Sequence, residues 1–217
     1  MIVIFNGPPG SGKDEAASLF KEVFGFGNLS FKYQLFKETI NHFEVDKDWF
    51  MEGYDDREVK EKKEFALKEM SRREAMIHVS EDIVKPKNGK DYFGRMVAEE
   101  IEDGKSYAIA DGGFIEELEP IIEKLGEENI VLVQITREGH DFSTDSRRYF
   151  DGKLFKEYTI GHETPIEKSF VLDEKFDIKT YRIHNNGSLR NFHNTLMDIH
   201  SELKLQYDLS TEEPTDA

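Results

Sequence analysis

Short apolar runs alternate along this chain with stretches whose apolar residues recur at helical spacing, an alternation that predicts an α/β domain with a parallel sheet. Strands are expected at Ile2–Phe5, Tyr107–Ala110, Ile130–Ile135 and Lys179–Ile183, with a weaker one near Asn28–Phe31, five in all. The runs from Ile2, Tyr107 and Ile130 are apolar nearly throughout, as strands covered on both faces should be. Helices are expected from Lys13 to about Phe24 and from about Lys32 to Phe43. The charged stretch from Asp55 reads as helical, and Ser71-Arg72-Arg73-Glu74 interrupts it with a capping-box pattern that marks a fresh helix start. Lys85-Pro86 is expected to end that segment. Two more helices, Asp91 to Asp103 and Ile115 to Leu125, should close at Gly104 and Gly126. From about Thr136 to Lys175 charge is mixed and no period is clear, so an irregular insert is expected, commonly a lid. Ser210 to Ala217 reads as a polar tail.

The junction between the first strand and the first helix carries the chemistry. Gly7-Pro8-Pro9-Gly10-Ser11-Gly12-Lys13 fits G-x-x-x-x-G-K, between a buried strand and an amphipathic helix. Glycines there let successive backbone N–H groups turn inward toward phosphate oxygens, and the helix N-terminus adds partial positive charge. Lys13 would reach the β- and γ-phosphates. Asp14 stands where such loops place the serine or threonine that ligates Mg²⁺. Two roles are open to it. An acid in a first helical turn gains about 0.3–1 kcal/mol from the helix dipole with no metal, whereas a carboxylate beside a triphosphate calls for a cation between them.

Composition narrows the partners. The 217 residues carry 29 basic and 45 acidic side chains, a net charge of -16 that repels nucleic-acid backbones and acidic membranes. Any phosphate must therefore be held by local basic groups. With 17 Phe and 8 Tyr the chain has ample bulky side chains for a core. Cysteine is absent, which removes disulfides and thiol chemistry, and the seven histidines show no metal-binding spacing. The apolar start, Met1–Phe5, is short and lacks a basic flank, so neither signal peptide nor membrane span is expected and a cytoplasmic location is the default.

Several segments resemble the bacteriophage deoxynucleoside monophosphate kinases, within the P-loop nucleoside monophosphate kinase-like proteins. Ser11-Gly12-Lys13-Asp14 is similar to that group's loop ending, aspartate included. "SRREAM" (Ser71 to Met76), "AIADGGFIEELEPI" (Ala108 to Ile121), "ITREGHDFSTDS" (Ile135 to Ser146) and "IHNNGSLRNF" (Ile183 to Phe192) follow in the family's order. The resemblance implies a P-loop NTPase three-layer sandwich with a mainly parallel five-stranded sheet. It implies one kinase domain at 1–209, with a helical acceptor-binding insert at about 32–104, a lid at about 136–175 and a tail at 210–217. It further implies ATP and Mg²⁺ as cofactors, small nucleotides as the partners with no nucleic acid or membrane, a homodimer left open, and the host cytoplasm for a phage-encoded chain. Two departures stand out: Gly112-Gly113 precedes Phe114 where relatives carry an arginine, and Asp145-Ser146-Arg147-Arg148-Tyr149 lacks a histidine after the aspartate.

Candidate roles follow. Asp111 ends a buried strand, where open α/β sheets bind ligands; it would hold a water of the Mg²⁺ shell or position the acceptor, or it is a turn aspartate before two glycines. Asp14 and Asp111 are the metal-side candidates. Arg137 and Arg147 or Arg148 are candidates for transition-state charge, brought in by a lid once both substrates are bound. Arg73, in the first turn after Ser71, suits an acceptor phosphate, although Arg72 or Arg73 on a solvated face is the competing reading. Lys32 and Lys37 are weaker candidates of that kind, and Tyr92 and Phe93 could stack on a base or simply fill the core. Asn186, Gly187 and Ser188 form a turn and helix cap, with adenine contact only as the resemblance implies. The leading expectation is transfer of the ATP γ-phosphoryl group to a deoxynucleoside 5′-monophosphate. Kinases of another small acceptor, phosphomevalonate-like or a cofactor precursor, and a nucleotide-dependent switch remain open; polynucleotide kinase activity suits the acidic chain poorly.

Overall fold

The computed structural model describes residues 1–211 except 55, 144, 146, 150, 151 and 162–175, and the backbone alone at 57 and 206–211. Part of the expected lid and most of the expected tail therefore lie outside the described residues. In chain order the elements are β1 (Ile2–Asn6), α1 (Lys13–Phe24), β2 (Gly27–Asn28), α2 (Phe31–Phe43), α3 (Lys47–Met51), α4 (Arg57–Glu61), β3 (Lys63–Glu64), β4 (Met70–Ser71), α5 (Arg72–His78), α6 (Lys85–Asn88), α7 (Tyr92–Glu100), β5 (Tyr107–Ile109), α8 (Glu119–Leu125), β6 (Ile130–Thr136), β7 (Lys153–Ile160), β8 (Lys179–Asn185) and α9 (Leu189–Thr211). They fall into two compact units, one of residues 1–28, 104–113 and 127–217, the other of 29–103 and 114–126.

The first unit is an α/β structure around a six-stranded sheet in the order β2-β5-β1-β6-β8-β7. Every neighbouring pair in it is parallel. The expected count of five was one short. The missing strand is β7, inside the stretch read as irregular: its Lys-Leu-Phe-Lys-Glu-Tyr-Thr-Ile sequence is mostly solvent-facing. An edge strand is held by backbone hydrogen bonds to one neighbour, here β8, so it needs no apolar run to announce it. The weak second strand is only two residues long, and Phe31 already starts a helix. By contrast β1, β5 and β6 are buried along their whole length, as their apolar runs dictate.

Helix α1 buries Ala16, Ala17 and Phe20, and Gly25 in the left-handed region closes it with its N–H on the Phe20 carbonyl. Phe20 lies edge-on to Phe5, Phe24 and Phe26, each with ring centroids 5.1 Å away. From α9, His200 stacks flat on Phe24 at 3.7 Å and meets Phe20 and Phe26 edge-on. Burial, with Lys204 adding to it, lowers the His200 pKa from its ordinary value. The unfolded chain therefore takes up a proton at His200 before the folded chain does, so stability is full above the ordinary histidine value of about 6.5 and falls as pH drops through the window below it. Thermal melts of wild type and His200→Phe across that window should show the pH-dependent loss in the wild type alone; parallel curves would remove His200 as its source.

In the second unit Ser71 caps α5 with a capping box: its hydroxyl accepts from the Glu74 N–H and Glu74 accepts from the Ser71 N–H. This is the start expected from sequence. The preceding charged stretch is not one helix, however, since α4 is short and the antiparallel β3–β4 pair follows it. Nor does Lys85-Pro86 end the segment. A π-helical stretch, Val79–Val84, intervenes, with the Lys85 N–H reaching the Ser80 carbonyl, and Pro86 sits in the first turn of α6. Proline lacks the N–H that an α-helix would need there, and the wider turn accommodates it. Phe50, Leu67, Ala75 and Met76 form one core cluster of this unit. Among the described residues no helix is long and apolar enough to cross a membrane.

Candidate functional site

Parallel pairing aligns the carboxyl ends of β5, β1, β6 and β8, and the segments leaving those ends bring the first unit's candidate residues together. From β1 the chain enters the Gly7–Lys13 loop. Gly10 and Gly12 have φ of 78° and 111°, a region L-residues rarely occupy, so the curl requires glycine at both. Gly7 is needed for space, since a Cβ there would lie 2.4 Å from the Ile135 carbonyl oxygen. Lys13 is buried, its side chain 5% exposed, and its ammonium donates to the Pro8 carbonyl at 3.2 Å, folding back over the loop. Ser11 Oγ is buried without a hydrogen-bond partner among the described residues. Asp14 stands beside them with its carboxylate 78% exposed, 3.8 Å from the Lys13 ammonium.

Neighbouring strands brace this loop. Asn185, the last residue of β8, donates from its side chain to the Ser11 carbonyl at 2.9 Å. The Arg137 guanidinium reaches the Gly10 carbonyl at 3.3 Å. A turn after β6 carries His140 back onto the loop, where its Nδ1 lies 2.9 Å from the Pro9 carbonyl oxygen, which can only accept. Asn186 accepts from the Glu138 N–H at 2.8 Å, which steadies that turn. Gly187 packs against Ile160 too closely for a Cβ, and the Ser188 hydroxyl accepts from the Asn191 N–H as a cap for α9.

The opposite wall grows from β1 and β5. Asp111, buried, follows β5. Asn6, fully buried, spends both amide hydrogens: one on the Gly112 carbonyl at 3.2 Å, one on the Arg148 carbonyl at 3.1 Å. That ties the Asp111 turn to the segment bearing Arg147, whose side chain is 14% exposed and held by Asp145 through two guanidinium hydrogen bonds. Burial opposes the Arg147 charge, yet the Asp145 hydrogen bonds and charge, joined by the fields of Asp111 and Asp14, raise its pKa above the ordinary value. Its Nη1 atom is buried, with no hydrogen-bond partner among the described residues. Arg148 is exposed.

The remaining candidates belong to the second unit. Arg73 is partly exposed and lies 3.5 Å from Glu61, an ion pair weak enough to exchange for another anion. Arg72 is not on a solvated face: it is buried, donating to the Glu52 and Trp49 carbonyls at 2.7 and 3.0 Å. Lys32 is half-buried and Lys37 exposed. The Tyr92 hydroxyl donates to Glu38 at 2.8 Å, and Phe93 is a core residue, 2% exposed.

Sequence reasoning missed Asn6, Asp145, His140 and Asn185. Only Asp145 left a recognisable local signal, an Asp two residues before an Arg whose N–H it caps at 3.0 Å. No family model matches the chain and no curated protein matches it, so the functional reading rests on the site itself.

Proposed function

We propose that the chain is an ATP-dependent phosphotransferase of the P-loop type, with a three-layer core, that converts a deoxynucleoside 5′-monophosphate to its diphosphate. The observation that carries this reading is a buried lysine and a buried hydroxyl, Lys13 and Ser11, together with the half-buried Arg147, the Ser11 hydroxyl and Arg147 Nη1 having no hydrogen-bond partner among the described residues. Buried donors without partners are costly, and phosphate oxygens would satisfy them.

The residues also fit a magnesium-bound nucleotide. Among the described residues no group of three or more His, Cys, Asp or Glu could hold a metal, but Asp14 and Asp111 supply two carboxylates, and Mg²⁺ commonly takes its other oxygens from phosphates and water. Asp14 and Asp111 would hold such an ion, which would supply positive charge against the triphosphate. Lys13, Ser11 and the loop cradle the triphosphate, while Arg147 stabilises charge on the moving group. The bond from Pγ to the β-bridging oxygen breaks, a bond from Pγ to an acceptor phosphate oxygen forms, and ADP departs. That acceptor oxygen is already anionic, so no base is required. Acceptor recognition is assigned to Arg73, with Lys32, Lys37 and Tyr92.

One observation favours a second reading, a kinase of another small phosphorylated acceptor. Phe93 is buried and the Tyr92 hydroxyl is tied to Glu38, which weakens the case for an aromatic wall against a base. ADP release measured with MgATP and a panel of deoxynucleoside monophosphates, phosphomevalonate and phosphorylated cofactor precursors separates the two. Turnover with at least one deoxynucleotide is expected; turnover confined to the other acceptors would select the second reading.

A further inference from the structure

We propose that Asp145 is a positioning residue which, together with Gly113 and Asn6, holds the Arg147 guanidinium in its working orientation before any ligand arrives. The proposal rests on the phosphoryl-transfer reading above and adds to it a site that is assembled in advance, where a lid was expected to deliver the arginine.

Three independent restraints converge on one side chain. Asp145 Oδ1 accepts from the Arg147 backbone N–H at 3.0 Å and from Nε at 2.9 Å, while Oδ2 accepts from Nη2 at 2.5 Å. A two-oxygen grip on a planar guanidinium fixes its plane as well as its position, which a single contact would not. Both partners are largely buried, the Asp145 side chain 7% exposed, so water competes little for either.

Gly113 supplies the second restraint by having no side chain. A Cβ there would lie 2.6 to 2.7 Å from the Cβ, Cγ and Cδ of Arg147, so any other residue would displace the stem that lies across it. This gives Gly113 a physical reason: the space is occupied by an arginine from elsewhere in the chain. The third restraint is Asn6, whose amide bonds the carbonyls of Gly112 and Arg148, the residues flanking the two contact points. The Arg148 N–H to Gly113 carbonyl bond at 3.4 Å closes the same junction.

Such fixation matters in a chain of net charge -16, where a free arginine would find many carboxylates. The clamp selects one carboxylate and leaves Nη1 unpartnered, with Asp111 and Asp14 close enough to act on the same guanidinium. Ordering the arginine during folding removes that entropy cost from the transition state.

Two measurements on the full chain test this. In the unliganded protein, the Arg147 Nε–H resonance, assigned by its loss in Arg147→Lys, should exchange with water at least about tenfold more slowly than that of exposed Arg148, and Asp145→Ala, which removes both acceptor oxygens, should abolish the difference. Fast exchange in the unliganded wild type overturns the clamp whether or not the protein is a kinase. With MgATP and the best acceptor, Asp145→Asn should lower kcat by about 10²-fold, as expected for a misplaced catalytic group, while leaving KM for ATP unchanged. Adding it to Arg147→Ala should cost nothing more. A loss confined to KM, or additive losses in the double variant, overturns the positioning role. Should Asp145→Asn melt, Gly113→Ala gives the same kcat reading. Slow exchange with no transfer to any acceptor would instead sink the kinase reading, and the catalytic half of this proposal with it, leaving a clamp of purely structural use.

Discussion

Replacing Lys13 with Met should lower kcat/KM for phosphoryl transfer by about 10²–10³-fold, the loss that follows removal of one preorganised donor from a developing charge. The side chain is buried and its ammonium folds over the loop onto the Pro8 carbonyl, so a bound triphosphate would receive it without a large rearrangement. Methionine keeps most of the apolar stem and removes the charge together with its N–H donors. The stability effect should be small: one hydrogen bond to a carbonyl is worth about 1 kcal/mol, or about 2–4 °C in Tm for a chain of this size. The 3.8 Å approach to the exposed Asp14 adds little. Calorimetry with MgATP, a coupled assay and a thermal melt check the prediction together. A folded Lys13→Met protein with wild-type turnover would remove the loop from the chemistry and leave the glycines as a strand-to-helix turn.

How much of this was legible in the sequence depends on where each residue finds its partner. The β1–loop–α1 unit was readable because its determinants are local: an apolar run, glycines where left-handed φ is needed at Gly10 and Gly12, and apolar spacing that buries Ala16, Ala17 and Phe20. The capping box at Ser71 is equally local. Strand β7 was hidden because an edge strand with mixed charge owes its place to the backbone of β8, not to its own pattern. Arg72 and Arg73 look alike in sequence, yet helix phase sends Arg72 to the carbonyls of Trp49 and Glu52 and across the Trp49 ring, while Arg73 stays at the surface with Glu61. Asn6 shows the same limit at the candidate site. Nothing near it in sequence indicates that its amide will bridge carbonyls 106 and 142 residues away.

Arg147→Ala should cost more than any other single change at the site, about 10³-fold or more in kcat, within the range seen when an arginine that meets transition-state charge is removed. Arg137 and Arg148 were equal candidates from sequence, and the three differ in what surrounds them. Arg148 is exposed, and Arg137 already reaches the Gly10 carbonyl from an exposed position. Arg147 is the half-buried one of the three, its side chain 14% exposed, gripped by Asp145 and within reach of the fields of Asp111 and Asp14. Its loss leaves Asp145 as a buried carboxylate without its cation, which is destabilising in its own right. Arg147→Ala must therefore be compared with Arg147→Ala/Asp145→Asn, in which the stranded charge is gone. The double variant should recover Tm but not kcat, because stability depends on neutralising Asp145 and transfer depends on the guanidinium. Recovery of both would make the arginine a structural counterion and move the transition-state role to Arg137 or Lys13.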